Sequence, residues 1–124
     1  VVPNRNMVMI SVAASLAIKN KLDYLWYAAH SGDHEIYPDC RPEFIAKMAE
    51  VLSICDYHKI NFEAPFQDLS KAEIIKVGLD MNLDYSKAWT CYEGKEKPCG
   101  KCSACLERAA SFQANQVKDP LDEL

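Results

Sequence analysis

Four of the six cysteines in this sequence lie close together in the stretch CYEGKEKPCGKCSAC. Two residues separate Cys99 from Cys102 and Cys102 from Cys105, and Cys91 lies upstream with seven residues before Cys99. Four thiolates at such spacings can close a tetrahedron around Zn²⁺, which favours sulfur ligands. Because sulfur would fill all four positions, we expect a zinc ion that holds structure rather than one that activates water.

The residues around these cysteines suit a thiolate centre. Gly100 gives the backbone freedom to curl around an ion. Cys102 and Cys105 fall in the first turn of a predicted helix, where the helix dipole favours thiolates. The basic residues expected to offset the charge of the centre are Lys95, Lys97, Lys101 and Arg108.

Three other chemistries use closely spaced cysteines, and they stay open as alternatives. Disulfides are disfavoured in the cytoplasm, where we place the protein. The common iron–sulfur run has its fourth cysteine downstream, followed by proline, unlike this sequence. A redox dithiol gains little from four cysteines. Outside the cluster, Cys55 falls on an apolar stripe and is predicted to be a small buried hydrophobe.

Three predicted helices begin beside a cation, at Arg5, Arg41 and Lys71. The positive end of the helix dipole disfavours such residues, so their repetition indicates an anion. A helix N-terminus with a neighbouring Arg or Lys binds phosphate or carboxylate, and helix starts share one edge of a parallel α/β sheet. The alternative is that all three are solvated surface residues or ion-pair partners.

The loop before the second predicted helix concentrates polar chemistry. The segment YPDCR, from Tyr37 to Arg41, places a phenol, a carboxylate, a thiol and a guanidinium where ligands bind in α/β proteins. Asp39 can accept two hydrogen bonds from a guanine-like edge, or it can cap the helix instead. Three upstream residues offer acid–base capacity or are ordinary loop residues: His30, Asp33 and His34.

Composition and charge restrict the class of protein. The 124 residues suffice for one compact domain, and 49% are hydrophobic, as in globular proteins. A net charge of −4 argues against binding duplex nucleic acid through its phosphates. The longest apolar stretch, Met7 to Ile18, is too short to span a membrane, and no secretory leader is evident. We expect a cytoplasmic protein, and the start at Val1 indicates part of a longer chain.

Hydrophobic periodicity predicts alternating helices and strands. The first helix, capped by Asn4 or Asn6, is apolar on most sides and predicted to be buried. The first strand is predicted to be buried on both faces of a parallel sheet. Ser70 and Glu73 predict a capping box, and Gly78 is a possible early helix end. The predicted helices are 7–20, 43–57, 70–82 and 102–115, and the predicted strands are 22–29 and 59–66.

This order of elements indicates an α/β protein with a parallel sheet. We divide the sequence into a partial α/β nucleotide- and substrate-binding domain at 1–88, a zinc-binding segment at 89–115 and a polar, peripheral tail at 116–124.

Several motifs together resemble the 7-cyano-7-deazaguanine synthase family of PP-loop ATP pyrophosphatases. They occur in family order and at family-like separations over nearly the whole chain, although SKAEI alone is shared by several PP-loop enzymes. The motifs are VPNRN at 2–6, YPDCRPEF at 37–44, EAPF at 63–66, SKAEIIKVG at 70–78 and TCYEGKEKPCGKCSACLERAASF at 90–112.

The resemblance implies a fold and a set of site residues. The fold is the C-terminal part of a doubly wound, adenine nucleotide alpha hydrolase-like sheet with a four-cysteine zinc-binding helical segment. Lys71 and Arg5 are implied as catalytic residues near the phosphates of ATP. The implied zinc ligands are Cys91, Cys99, Cys102 and Cys105, and the substrate-binding candidates are Asn6, Asp33, Tyr37, Asp39, Cys40 and Arg41.

The resemblance also implies a reaction. The carboxylate of 7-carboxy-7-deazaguanine is adenylated with release of pyrophosphate, and ammonia displaces AMP to give an amide. A second activation and loss of AMP leave the nitrile. Cationic side chains suit this chemistry, because negative charge develops on the departing pyrophosphate. The implied cofactors and partners are one structural zinc ion, ATP with Mg²⁺, ammonia and the carboxydeazaguanine, with a homodimer as one possible assembly.

One family feature is absent from the sequence. The phosphate loop Ser-Gly-Gly-x-Asp-Ser should lie well upstream of VPNRN, and the four glycines of this chain form no Gly-rich cradle. We therefore expect activity only with an N-terminal half, supplied in cis or in trans. Two alternatives remain: a zinc-knuckle module that binds RNA or protein, and a related PP-loop enzyme that adenylates another substrate.

Overall fold

The computed structural model describes residues 2–94 and 96–123. The chain forms two compact units, Val1–Asp68 and Leu69–Leu124, which are described separately below. The sequence-based boundary between 88 and 89 therefore falls inside the second unit. Within the described part of the chain, none of the helices has both the length and the apolar character needed to cross a bilayer.

The first unit is a β-α-β arrangement preceded by a helix. Its helices are α1, Arg5–Lys19, and α2, Pro42–Leu52; its strands are β1, Tyr24–Trp26, and β2, Asn61–Glu63. The two strands are parallel, with Leu25 opposite Phe62. A crossover through α2 between parallel strands is the arrangement that alternating helices and strands predict, so the predicted parallel sheet is confirmed.

The core of the first unit follows helical periodicity. Residues at three- and four-residue spacing turn inward, because they share one face of a helix. Phe62 from the centre of β2 closes this core, and its ring stacks against Tyr27 with 6.0 Å between ring centroids. The inward residues are Ile10, Ala14 and Ala17 on α1, and Ile45, Met48 and Leu52 on α2.

The surfaces of α1 and β1 differ from the prediction. The helix was expected to be buried, yet only one of its faces packs within this unit. Its exposed apolar side chains are Met7, Val8, Met9, Val12 and Leu16. Similarly, β1 was expected to be buried on both faces, but Tyr24 and Trp26 are 56% and 68% exposed. The apolar residues of α1 and β1 indicate surfaces that favour burial. They do not specify that the residues covering those surfaces belong to the same unit.

The second helix is shorter than predicted. It ends at Leu52, where the Ser53 hydroxyl donates a hydrogen bond to the carbonyl of Glu50 at 2.7 Å and a turn follows. Cys55 therefore lies beyond the helix and is exposed. The prediction that Cys55 is buried on an apolar stripe is wrong, since the periodicity does not continue past the helix end.

The second unit contains helices α3, Lys71–Asp80, and α4, Ser103–Ala114. Ser70 and Glu73 form the predicted capping box at the start of α3. Gly78 does not end this helix; it leaves room for Tyr85, whose hydroxyl would lie 2.0 Å from a Cβ at that position. The glycine is thus explained by a close side-chain approach rather than by helix termination.

A buried arginine joins the last part of the second unit to α4. The guanidinium of Arg108 donates to both carboxylate oxygens of Asp119, at 2.5 and 2.8 Å, and to the carbonyls of Tyr85 and Ala88. It also lies 5.2 Å from the ring centroid of Phe112. Both ends of the Arg108–Asp119 pair are less than one-tenth exposed. Asp119, within the segment predicted to be a polar tail, is therefore a buried ion-pair partner of α4.

We predict that Asp119→Asn destabilises the protein by about 3 kcal/mol, because it leaves the buried charge of Arg108 without its counter-charge. Urea unfolding of the zinc-loaded protein measures this loss. Asp80→Asn removes the partner of Lys76 from an exposed pair and serves as the control, with a loss below about 0.5 kcal/mol. Equal effects of the two variants would contradict the assigned role of Arg108.

The Arg108–Asp119 pair also makes the stability of the protein depend on pH. Burial by itself would raise the pKa of Asp119, but hydrogen bonds from Arg108 and Leu121 outweigh it and hold the pKa below its usual range. The folded pKa is depressed, so this stability is present above the unfolded pKa, near 4, and is lost as the pH falls through the folded value. Wild type should lose more stability than Asp119→Asn between about pH 5 and pH 3.

Candidate functional site

The four clustered cysteines form a centre of metal-binding size. The sulfur atoms of Cys91, Cys99, Cys102 and Cys105 all lie within 4.8 Å of one another. The Cys99 and Cys105 sulfurs are 3.9 Å apart. A tetrahedral zinc ion with bonds of about 2.3 Å sets its sulfur ligands about 3.8 Å apart, so the donor set and its size fit structural zinc.

Hydrogen bonds from backbone N–H groups lower the pKa of two of these thiols. Cys91 Sγ accepts hydrogen bonds from the N–H of Gly94 at 2.9 Å and of Cys99 at 3.3 Å. The Cys99 N–H, followed by those of Glu93 and Gly94, lowers the pKa of the Cys91 thiol to about 6. The N–H of Tyr92 is the main cause of a lowered pKa at Cys102. Thiolate is the form that binds metal, so this part of the centre is prepared before an ion arrives.

Cys105 is different from its neighbours. It lies in the first turn of α4, and burial raises the pKa of its thiol to about 12, with the adjacent Cys102 thiol adding to the effect. A cation at the centre reverses this balance, because a coordinated thiol is deprotonated by the charge of the ion. We therefore expect metal binding to release a proton from Cys105.

Local backbone geometry explains why two glycines lie in this segment. Gly100 has φ +68°, a left-handed conformation that side chains disfavour, and it turns the chain between Cys99 and Cys102. A Cβ at Gly94 would lie 2.2 Å from the carbonyl oxygen of Lys97, so only glycine allows this approach. The predicted freedom of Gly100 to curl the chain is confirmed.

Not all of the basic residues that were predicted to offset the negative charge of the four thiolates are available to do so. Lys97 and Lys101 are exposed, and Lys95 lies outside the described residues. Arg108 was expected to offset the charge of the centre, but it is buried against Asp119 instead. The sequence shows the proximity of Arg108 to the cysteines, whereas its direction on α4 depends on what the helix packs against.

Asp39 is the centre of the polar loop in the first unit. Its Oδ2 accepts a hydrogen bond from Asn6 Nδ2 at 2.9 Å, and its carbonyl accepts one from the Tyr27 hydroxyl at 3.2 Å. The structure thus joins the start of α1 to the loop before α2 through two candidate substrate residues. Tyr27, which sequence reasoning did not single out, supports both Asp39 and Cys40; its only signal was its place just after β1.

Cys40 lies inside the hydrophobic core rather than on the loop surface. Its thiol is 3.6 Å from the Tyr27 hydroxyl, and burial raises the pKa of both groups. A buried thiol held in its neutral form is a poor nucleophile. Cys40 therefore contributes to this loop by packing and by its contact with Tyr27.

The remaining loop candidates occupy distinct positions. Asp33 Oδ2 lies 3.2 Å from His30 Nε2, and Arg41 donates from Nε to the carbonyl of His34 at 2.8 Å. Tyr37 is exposed, and its backbone N–H bonds to the carbonyl of Asp33 at 2.8 Å. The loop is therefore closed by its own hydrogen bonds, and Tyr37 presents its phenol to the surface.

All three predicted cations lie at helix starts. Arg5 is the first residue of α1, Arg41 is the N-cap of α2, and Lys71 is the first residue of α3. Arg5 is exposed and makes no hydrogen bond or ion pair with any described residue, whereas Lys71 pairs with Glu107 of α4. Glu107 was not anticipated, because no spacing rule connects positions so far apart in sequence.

A shallow cleft of about 180 Å³ opens between α1 and the two strands. Asn6 and Tyr27 are polar residues on its wall, and both also bond to Asp39. Its lining residues are Asn6, Met9, Ile10, Ala13, Leu25, Trp26, Tyr27 and Phe62. The cleft thus combines an apolar wall with a polar end, as small-molecule sites do.

These features define an α/β protein with a parallel strand pair and a four-cysteine cluster that could hold a metal ion. The family model described as queuosine biosynthesis protein QueC matches residues 1–116. The chain belongs to this family.

Several curated proteins align with almost the whole chain. A 7-cyano-7-deazaguanine synthase of Psychromonas ingrahamii is 52% identical over 121 residues, covering 98% of this chain and 55% of that protein. Synthases of the same name from Marinobacter nauticus and Caldicellulosiruptor saccharolyticus are 50% and 52% identical, with 98% of this chain covered in each case and 55% and 54% of those proteins. The chain spans about half the length of the curated relatives it matches.

We predict one zinc ion per chain and its loss in Cys102→Ser. Removing a sulfur ligand should weaken zinc binding by more than the roughly 10- to 100-fold that loss of an outer-sphere partner costs. Elemental analysis and the thiolate bands of the cobalt-substituted protein measure this effect. Cys55→Ser, outside the cluster, is the control and should retain zinc. Iron in place of zinc, or full zinc retention by Cys102→Ser, would show that the centre is not a four-thiolate zinc site.

Proposed function

We propose that this chain is the C-terminal part of an enzyme that converts 7-carboxy-7-deazaguanine and ammonia to 7-cyano-7-deazaguanine with ATP. The observation that carries the proposal is about 50% identity to synthases of that product over 98% of the chain. The four-cysteine centre agrees with it, because the aligned region includes the complete ligand set. Queuosine biosynthesis is the corresponding cellular role.

The proposed chemistry has two activations. A carboxylate oxygen attacks the α-phosphorus of ATP, and the bond to pyrophosphate breaks. Ammonia adds to the acyl carbon of the adenylate, AMP leaves, and loss of a proton gives the amide. The amide oxygen then attacks the α-phosphorus of a second ATP and displaces pyrophosphate, and loss of AMP with two protons leaves the nitrile. Mg²⁺ would accompany the phosphates of ATP.

The chain supplies cations for the phosphate charge. Lys71 at the start of α3 is proposed to contact phosphate, where the helix N-terminus and the ammonium favour the same anion. Arg5 is proposed separately as a phosphate-contacting cation of the first unit, on the grounds that it begins α1 and has no described partner that neutralises it. Cations so placed favour pyrophosphate departure, because they stabilise charge that grows in the transition state.

The loop of the first unit is proposed to hold the deazaguanine. Asp39 Oδ2 is already fixed by Asn6, which leaves the carboxylate oriented and able to accept N–H groups of a guanine-type edge. Asp33, Tyr37 and Arg41 are proposed to assist from the same loop. Cys40 supports this loop from the hydrophobic core through its contact with the Tyr27 hydroxyl.

A bound zinc ion is proposed to have a structural role, since four thiolates leave it no open position for substrate. It would join the loop that contains Cys91 and Cys99 to α4 and so fix where that helix starts. No reaction step is assigned to the cysteines.

We further propose that the first unit is completed by an upstream half within a doubly wound sheet. Two observations support this: among the described residues β1 pairs only with β2, and the apolar side chains of α1 are exposed beside it. An isolated pair of parallel strands is marginal, and parallel sheets are normally covered on both faces. The relatives are also about twice as long as the aligned region. Below, the complete enzyme means this chain together with that half, in cis or in trans.

We expect the complete enzyme to release AMP and pyrophosphate and to form the nitrile, and the 124-residue chain alone to form none. Mass spectrometry of the products and pyrophosphate release measure the two activities. Thermal protection by 7-carboxy-7-deazaguanine, compared with other purines, tests the substrate. Steady turnover by the chain alone would refute the need for the upstream half. Salt-dependent RNA binding without ATP turnover would instead indicate a binding module.

Asp39→Asn in the complete enzyme should weaken binding of 7-carboxy-7-deazaguanine by roughly 10- to 100-fold, because a charged acceptor is lost. Isothermal titration calorimetry measures the dissociation constant. Glu50→Gln alters an exposed carboxylate on α2 and should leave binding unchanged. Asn6→Ala reports the effect of losing the Asn6–Asp39 hydrogen bond alone. Unchanged affinity in Asp39→Asn would remove Asp39 from the proposed site.

A further inference from the structure

A polar stripe on α4 contacts the start of α3. Glu107, Ser111 and Asn115 recur every four residues and therefore lie on one side of the helix. The Glu107 carboxylate pairs with the ammonium of Lys71, and Asn115 Nδ2 donates to the carbonyl of Ala72 at 2.8 Å. Ser111 Oγ donates to the Glu107 carbonyl at 2.7 Å, within α4 itself. The two ends of the stripe thus hold the first two residues of α3.

Lys71 occupies a position that normally disfavours a cation. It is the first residue of α3, where the helix dipole is positive, and the capping box of Ser70 and Glu73 already satisfies the helix end. The ammonium sits on a flexible four-carbon stem with high rotamer entropy. The Glu107 carboxylate beside it lowers the cost of holding this side chain in one place.

The Lys71–Glu107 pair is poorly explained as a stabilising contact. The two side chains are 27% and 40% exposed, and pairs of this kind contribute little to folding. The helix α4 is already held by other contacts, since Arg108 pairs with Asp119 and Phe112 packs against Tyr85. The position of α4 therefore does not depend on Glu107.

We propose that Glu107 is a positioning residue for Lys71 and preorganises its ammonium for a phosphate group of ATP. This inference rests on the proposed function, which gives Lys71 its ligand. Glu107 touches no phosphate itself; it acts only through Lys71. The helix that begins directly after Cys102 and contains Cys105 thereby also fixes the cation at the start of α3.

In the zinc-loaded complete enzyme, Glu107→Ala should lower kcat/KM for ATP and weaken pyrophosphate binding, each about tenfold, because ordering of Lys71 must then occur on binding. Glu107→Gln keeps the length and an acceptor oxygen and should recover both to within about threefold. Glu107→Asp keeps the charge but shortens the reach, so it should resemble alanine. Steady-state kinetics and calorimetry with pyrophosphate provide the two measurements.

A double-mutant cycle tests whether Glu107 acts through Lys71. Adding Glu107→Ala to Lys71→Ala should change kcat/KM by less than about twofold. Asp80→Ala, which removes the partner of Lys76 on the same helix, is the matched control and should leave both measurements unchanged. Zinc content of each variant is measured alongside and should stay at one ion per chain.

Several results would overturn the proposal. Tighter pyrophosphate binding in Glu107→Ala would show that the carboxylate repels phosphate rather than orients Lys71. An equal loss in the Lys71→Ala background would show an effect independent of Lys71. Wild-type behaviour of Glu107→Ala in an active enzyme would refute this inference alone, whereas a wild-type complete enzyme without ATP turnover would refute the proposed function as well.

Discussion

The placement of α4 is the constraint on which the second unit depends. Among the described residues of this unit, the large buried apolar side chains are Ile75, Phe112 and Leu121, and small cores of this kind commonly rely on a metal or another cross-link. Four thiols before and in the first turn of α4 form a cluster that could hold a metal ion, and Arg108 fixes the same helix to Asp119. Backbone N–H groups that donate to Cys91 Sγ lower the pKa of this thiol and so favour the thiolate that a cation would bind.

The orientation of α4 then determines which of its side chains contact α3. One face of the helix is buried around Arg108, and the adjacent polar stripe contacts the start of α3 through Glu107 and Asn115. A single helix thus connects the four-cysteine cluster to the cation proposed for phosphate binding. A zinc ion held by all four thiols would have no open coordination position, so its contribution would be structural.

The first unit shows a different dependence. Its polar loop is ordered internally, because Asp39 is held by Asn6 and Tyr27, whereas its apolar surfaces on α1 and β1 lack partners among the described residues of the unit. The relatives in the QueC family are about twice as long as the aligned region. An ordered loop beside uncovered apolar surfaces agrees with a chain that spans about half of such a protein. The candidate binding loop is formed within this chain, and the covering of the sheet is proposed to come from elsewhere.

Local chemistry was predictable from the sequence alone. The cysteine spacing indicated the metal centre, Ser70 and Glu73 indicated the capping box, and alternating periodicities indicated the parallel strand pair, because each depends on residues that are near in sequence or repeat regularly. Long-range partners were not predictable. Only the tertiary structure showed that Arg108 pairs with Asp119 and Lys71 with Glu107, because packing determines which face of a helix meets which neighbour. The exposure of α1 was decided in the same way, since hydrophobic residues require burial without specifying what buries them.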